Sequence, residues 1–175
     1  MNREELAKKI FEVSHLTGEF KLRSGQTSNE YFDKYRFESQ PHLLQAIAEQ
    51  MKSLIPAGTD VLAGLEVGGI PIATALSLLT GIPVVFVRKK AKDYGTCQLA
   101  EGVNIKGKRV CIIEDVITTG GQVHLSAADL KAIGAEISEV LCVIDRGTDS
   151  IQKMKEKGLN LKPLFTMAEL KGQKA

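Results

Sequence analysis

Short apolar runs alternate with segments of helical periodicity over most of the chain, and this alternation constrains the fold more than any other feature. The apolar runs predict strands at residues 61–63, 81–87, 109–113, 140–144 and 161–165. The segments between them predict helices at residues 70–79, 121–133 and 150–157. Continuous apolar strands are typical of a sheet covered on both faces, and strand–helix alternation is typical of parallel pairing. The sequence therefore predicts an α/β fold in which helices flank a central parallel sheet, with the last run at its edge.

The N-terminal part of the chain follows a different pattern. Residues 2–16 predict a charged amphipathic helix, and residues 20–37 predict short extended pieces around a turn. Pro41 then opens a second helix. A length of 175 residues fits one compact domain. Within it we expect a small N-terminal subdomain at residues 1–37 and an α/β core at residues 38–175.

Composition narrows the class of partner. The formal net charge is only +2, from 23 basic and 21 acidic residues, so we expect no binding to nucleic acid or membrane. No apolar run approaches the roughly 20 residues of a membrane span, and the N-terminus lacks a secretory pattern. Three widely spaced cysteines predict free thiols in a cytoplasmic protein rather than disulfides or a zinc site. The three histidines, His15, His42 and His124, lack metal-ligand spacing.

The strongest candidate for chemistry is the segment at residues 110–121, Val-Cys-Ile-Ile-Glu-Asp-Val-Ile-Thr-Thr-Gly-Gly. Its two glycines permit a nest of amide groups at a helix start, which favours phosphate oxygens. Carboxylates do not bind phosphate, so Glu114 and Asp115 must face another part of a ligand, such as sugar hydroxyls or a bound Mg²⁺. The alternative is a plain strand–turn–helix connection with solvated acids. We favour a phosphorylated ribose because the paired acids directly follow an apolar strand.

Four loops should share the carboxyl-terminal edge of the predicted sheet, at residues 64–70, 88–102, 114–121 and 145–149. The second loop is rich in lysine and arginine. Those cations could form an ordinary solvated face, but on this edge they could stabilise negative charge on a leaving group. The chain has neither a GxxxxGK[ST] loop nor a GxGxxG fingerprint after a strand, so ATPase and dinucleotide-binding functions lose their main support.

The segment at residues 110–121 resembles the 5-phosphoribosyl-1-pyrophosphate (PRPP) signature of type I phosphoribosyltransferases. Two further segments resemble the orotate-specific family among them. Residues 18–28, followed by Tyr-Phe-Asp at 31–33, are similar to that family's N-terminal hood. Residues 88–95, followed by Glu-Gly at 101–102, are similar to its catalytic loop. With Asp-Arg at 145–146, the resemblance spans roughly residues 16 to 147 in matching order.

The resemblance implies a Mg²⁺-dependent transfer of phosphoribose from PRPP to orotate, giving orotidine 5′-monophosphate and pyrophosphate in pyrimidine biosynthesis. It also implies a homodimer whose catalytic loop serves the neighbouring subunit. Mg²⁺ would bind through pyrophosphate and ribose hydroxyls, with no direct protein ligand. The implied catalytic residues are Lys92, Glu114 and Asp115.

By the same resemblance, Glu114 and Asp115 would hold the ribose hydroxyls, and Thr118 and Arg146 would contact orotate. The implied ligands of the 5-phosphate are Val116, Ile117, Thr118, Thr119, Gly120, Gly121 and Gln122. The residues implied to close over the base are Arg23, Tyr31 and Phe32. The residues implied to meet pyrophosphate are Arg88, Lys89, Lys92 and Tyr94.

Two departures from the family pattern leave alternatives open. Tyr94 stands where many members have histidine, and tyrosine is a poor proton donor near neutral pH. The loop at residues 64–69 lacks the lysine that some members carry for pyrophosphate, although amides at Gly68 and Gly69 could replace it. The alternatives are a transferase for another base and a non-catalytic PRPP-binding regulator. Tyr31 and Phe32 could equally pack in the core.

Overall fold

The structure, a computed structural model, describes residues 1–22, 25–90 and 99–172. Within these ranges the helices are α1 (Arg3–Ser14), α2 (Tyr35–Glu38), α3 (Pro41–Met51), α4 (Gly69–Thr80), α5 (Gly121–Ala132), α6 (Ser150–Glu156) and α7 (Met167–Gly172). The strands are β1 (His15–Lys21), β2 (Thr27–Phe32), β3 (Val61–Leu65), β4 (Val84–Val87), β5 (Ala100–Gly102), β6 (Arg109–Ile117), β7 (Glu136–Asp145) and β8 (Asn160–Thr166).

The central sheet has the strand order β5-β4-β3-β6-β7-β8 in the described part of the chain. Strands β4, β3, β6, β7 and β8 pair in parallel, which confirms the predicted α/β class and places β8 at an edge. The other edge differs from the prediction, because β5 pairs antiparallel with β4 inside the expected loop at residues 88–102. A three-residue strand has too few positions to show a period, so the sequence pattern did not reveal it.

Side chains of β6 pack into two apolar cores on opposite faces of the sheet, because successive residues of a strand point to opposite faces. Cys111 and Ile113 join a buried cluster with α1, α3, α4 and α7. Val110 and Ile112 join a second cluster with α5 and α6. Both faces of the sheet are therefore covered. This burial explains why the strands are apolar throughout rather than alternating.

The N-terminal residues contribute to both the core and a separate hairpin. Helix α1 starts with a capping box between Asn2 and Glu5. Its Leu6 and Ile10 are fully buried in the same cluster as Phe165 of β8. The expected helix at residues 2–16 ends at Ser14, and β1 and β2 then form a two-stranded antiparallel sheet. The division of the chain at residue 37 stays a prediction.

None of the helices in the described ranges combines the length and the apolar character that crossing a bilayer requires.

Candidate active site

Strand β6 continues four residues beyond Ile113, where the sequence pattern predicted its end. Pairing with β7 extends as far as Ile117 opposite Asp145, so Glu114 and Asp115 belong to the strand rather than to a loop. The neighbouring strand supplies the hydrogen bonds that carry β6 past its acidic residues. As adjacent strand residues, the two carboxylates lie on opposite sides of the sheet edge.

Asp115 is fully buried, and its carboxylate is fixed from three sides. Lys34, at the start of α2, places its Nζ 2.5 Å from Asp115 Oδ2. The backbone N–H of Val116 donates to Asp115 Oδ1 at 2.5 Å. Gly68, in the loop between β3 and α4, approaches so closely that a Cβ there would overlap the Asp115 carboxylate. Only glycine therefore fits at residue 68 with the loop in this position.

Glu114 faces a cavity of about 320 Å³. Its lining includes Lys34, Arg88, Lys89 and Gln122. Burial, and then the charge of Asp115, raises the pKa of Glu114 to about 8, while Lys34 and Lys89 act in the opposite direction. Its buried Oε2 has no hydrogen-bond partner within the described ranges. A ligand that supplies hydroxyl donors, or the waters of a ligand-bound Mg²⁺, would satisfy this oxygen.

The basic residues after β4 are tied to neighbouring loops. The N–H of Lys89 donates to Glu66 Oε1 at 2.6 Å, and Arg88 Nε lies 3.4 Å from Glu101 Oε1 of β5. The peptide bond between Glu66 and Val67 is cis. These contacts hold the end of β4 beside the loop that follows β3. The Lys89 side chain remains exposed at the cavity.

The turn at residues 118–121 opens helix α5 at the same edge of the sheet. Gly120 has φ 72°, a left-handed conformation that favours glycine. Gly121 N–H lies 3.5 Å from Thr119 Oγ1, and the hydroxyl residues Thr118 and Thr119 are exposed. The first amides of α5 lack helical partners, so the turn can accept an anion. Gly147 packs against the carbonyl of Thr118 and brings the loop after β7 alongside.

Three of the residues predicted to contact a base line a second cavity, of about 200 Å³, whereas Thr118 does not line it. Tyr31, Phe32 and Arg146 all line it. Phe32 is half-buried and packs against Phe11 with ring centroids 6.5 Å apart. Tyr31 is 45% exposed and packs on one side against Phe20, with ring centroids 5.5 Å apart. Phe32 thus has a packing role in the core, whereas Tyr31 packs within the β1–β2 hairpin and stays partly exposed at the cavity.

The remaining predicted site residues separate into two groups. Val116 and Ile117 lie within β6, where Ile117 is buried in the apolar core. Arg23, Lys92 and Tyr94 lie outside the described residues. The roles implied for all five residues stay predictions.

Sequence reasoning missed Lys34 and Glu38. Lysine and glutamate four residues apart on a helix usually form a solvated pair, so the spacing carried no functional signal. In the fold both side chains turn toward Asp115 instead. Their proximity to residue 115 depends on how α2 packs beneath the sheet edge. No local pattern encodes that packing.

The buried acid pair, the glycine turn at a helix start and the doubly covered parallel sheet are together the features expected of a phosphoribosyltransferase. The phosphoribosyl transferase domain family matches residues 36–162 of the chain. The chain is 54% identical to the orotate phosphoribosyltransferase of Nocardioides sp. (strain ATCC BAA-499 / JS614) over 165 residues, covering 94% of this chain and 92% of that relative.

Solved structures agree with this match. The structure of Mycobacterium tuberculosis H37Rv orotate phosphoribosyltransferase with Fe(III) dicitrate superposes with a TM-score of 0.85 at 31% identity, covering 96% of this chain and 98% of that one. The same enzyme in complex with PRPP gives 0.82 at 28% identity, covering 97% and 98%. The chain therefore belongs to the orotate phosphoribosyltransferase family, and the predicted resemblance is confirmed.

Proposed function

We propose that this protein transfers the phosphoribosyl group of PRPP to orotate and forms orotidine 5′-monophosphate and pyrophosphate in pyrimidine biosynthesis. One observation carries the proposal. Buried carboxylate oxygens of Glu114 and Asp115 lie directly before the open turn at residues 118–121. Neutral sugar hydroxyls suit the carboxylates, and a phosphate suits the turn. Both features lie at the end of one strand, so one phosphorylated sugar can reach both. The choice of orotate as the acceptor rests on the family to which the chain belongs.

In this mechanism the protein mainly binds and orients its substrates. The acid pair accepts hydrogen bonds from the ribose hydroxyls, and the turn amides hold the 5-phosphate. The C1–O bond breaks and its electron pair leaves on pyrophosphate, while an orotate ring nitrogen forms the new bond to C1 and its N–H proton passes to the departing pyrophosphate. Arg88 and Lys89 stabilise the charge on the departing pyrophosphate. Because the departing pyrophosphate can accept that proton, the protein need supply no strong base, and the Arg146 guanidinium suits the orotate carboxylate.

Bound Mg²⁺ would neutralise charge on pyrophosphate and so improve the leaving group. We expect pyrophosphate and ribose hydroxyl oxygens, rather than protein side chains, to hold it. Glu114 Oε2, which lacks a donor within the described ranges, would accept from those hydroxyls.

A base panel tests the proposal against its rivals. Purified protein with Mg²⁺ and PRPP is offered orotate, uracil, adenine and hypoxanthine in separate reactions. We expect pyrophosphate release with orotate alone. Release with a purine but not with orotate would assign the protein to another base. Tight PRPP binding without release for any base would support a regulator, the possibility that Tyr94 in place of histidine keeps open.

We also propose a homodimer, supported by apolar side chains on α4 and β4. Leu78 is 84% exposed, and Leu79 and Phe86 are also exposed. Phe86 belongs to the strand that leads into the basic loop. A second copy packed over these side chains would bury them and bring its own loop near this site.

Mixing two inactive variants tests whether the loop is shared. Lys92→Ala and Asp115→Asn proteins are each expected to keep about 1% of wild-type activity or less alone. If Lys92 acts across the interface, random exchange restores one intact site per mixed dimer, or about a quarter of wild-type activity. Activity that stays at the level of the separate variants would show that Lys92 acts within its own subunit.

We further infer a cytoplasmic, reducing location. Cys111 and Cys142 are buried free thiols. Burial raises the pKa of Cys111 to about 12, so this thiol stays protonated and unreactive.

A further inference from the structure

Beneath the ribose-binding carboxylates, α2 and the residue before it contribute two ionisable side chains that the mechanism above does not use. Lys34 forms its ion pair with Asp115 while its own side chain is 32% exposed. Glu38, four residues along, is 6% exposed. Buried ionisable groups of this kind are costly unless they are paired. Their placement against Asp115 therefore calls for a functional explanation.

We propose that Lys34 and Glu38 are positioning residues for Asp115: Lys34 balances its charge, and Glu38 acts as a neutral carboxylic acid that donates a hydrogen bond to it. This inference rests on the proposed phosphoribosyl transfer. It assigns the α2 segment a part in binding the ribose of PRPP, in addition to packing beneath the sheet.

The hydrogen-bonding chemistry of the acid pair supports a proton on Glu38. Glu38 lies close enough to Asp115 for their side chains to share a hydrogen bond, which two carboxyl groups can do only when one of them carries a proton. No donor within the described ranges reaches the buried Glu38 Oε1. Burial, followed by the hydrogen bond and charge of Asp115, raises the pKa of Glu38 to about 9, while Lys34 opposes this shift. The Lys34 ammonium and the Val116 N–H both face Asp115, so Glu38 is the acid placed to keep the proton.

The charge balance explains why Lys34 is needed. Glu38, Asp115 and Glu114 are three carboxyl groups close to one another, and Lys34 is the cation that contacts this group directly among the described residues. With Glu38 neutral, the Lys34 ammonium balances Asp115, the carboxylate that it contacts. Asp115 is then fixed in place, so it can accept hydrogen bonds from ribose hydroxyls without first rearranging.

The test measures steady-state kinetics and calorimetric binding of PRPP with Mg²⁺ for Lys34→Met, Glu38→Leu and Glu38→Gln. We expect Lys34→Met and Glu38→Leu to raise the KM and Kd for PRPP about tenfold while the KM for orotate changes little. Glu38→Gln keeps a neutral donor of the same shape, so it should stay within about twofold of wild type. The matched control is Lys162→Met, which breaks a comparable 2.9 Å ion pair with Glu139 far from the carboxyl-terminal edge.

A double-mutant cycle separates positioning from simple support of the fold. In an Asp115→Asn background, Lys34→Met and Glu38→Leu should each cost less than about twofold, because their target is already altered. Full tenfold losses in that background, or equal losses for Glu38→Gln and Glu38→Leu, would overturn the inference. Wild-type protein that binds PRPP but does not consume orotate would overturn the proposed function instead. The binding data would still decide the roles of Lys34 and Glu38.

Discussion

Asp115→Asn is expected to lower kcat/KM for PRPP by about 100-fold or more, equivalent to roughly 2.7 kcal/mol of transition-state stabilisation. The asparagine keeps the shape of the side chain but removes its charge, so ribose hydroxyls lose a charge-assisted acceptor. The change also leaves Lys34 without the carboxylate that lies 2.5 Å from its ammonium. Initial rates over a PRPP series, with orotate saturating, measure the effect.

A matched substitution separates this loss from a general effect of charge. Asp129→Asn removes an exposed carboxylate on α5 and should leave kcat/KM within about twofold of wild type. Thermal melting of both variants checks that each is folded. If Asp115→Asn matched the control in activity, Asp115 could not be a ribose ligand.

Gly68→Ala is the second substitution for which a large loss is expected. Its Cβ would overlap the Asp115 carboxylate, so either the loop after β3 or the acid must move. Overpacking of this kind typically costs about 1–3 kcal/mol, which corresponds to roughly a 5- to 150-fold loss if it falls on the transition state. We expect a larger change in the PRPP kinetics than in the melting temperature, because the steric overlap lies at the edge of the site rather than in the apolar core.

Gly172→Ala is the matched control for this glycine. Within the described part of the chain, a Cβ on Gly172 would meet nothing within 4 Å. Alanine also favours the helix, so activity should be unchanged and stability equal or slightly higher. A Gly68→Ala protein with wild-type kinetics would mean that the loop adjusts freely and does not help to place Asp115.

The parallel core and the acid pair could be predicted from the sequence because both depend on local pattern. Apolar runs such as residues 140–144 are unbroken since helices cover both faces of the sheet. Glu114 and Asp115 stood out as charges directly after such a run. Strand β5 could not be predicted, because Ala100–Gly102 forms a strand only by pairing with β4.

The deeper parts of the site depend on contacts between distant residues. Lys34 lies 81 positions before Asp115, and its spacing from Glu38 resembles an ordinary surface pair. Only the packing of α2 beneath the sheet edge brings both to the carboxylate. The cavity lined by Tyr31, Phe32 and Arg146 likewise joins the β1–β2 hairpin to the loop after β7. Such contacts between distant residues follow from tertiary packing rather than from the periodicity of the sequence.

Following orotate absorbance and pyrophosphate release together, in wild type and in Asp115→Asn, tests the central claim most directly. With Mg²⁺ and PRPP present, the wild-type protein should consume one orotate for each pyrophosphate released, and both signals should fall together in the variant. Pyrophosphate release without loss of orotate, or equal rates in the two proteins, would contradict phosphoribosyl transfer to orotate at this acid pair.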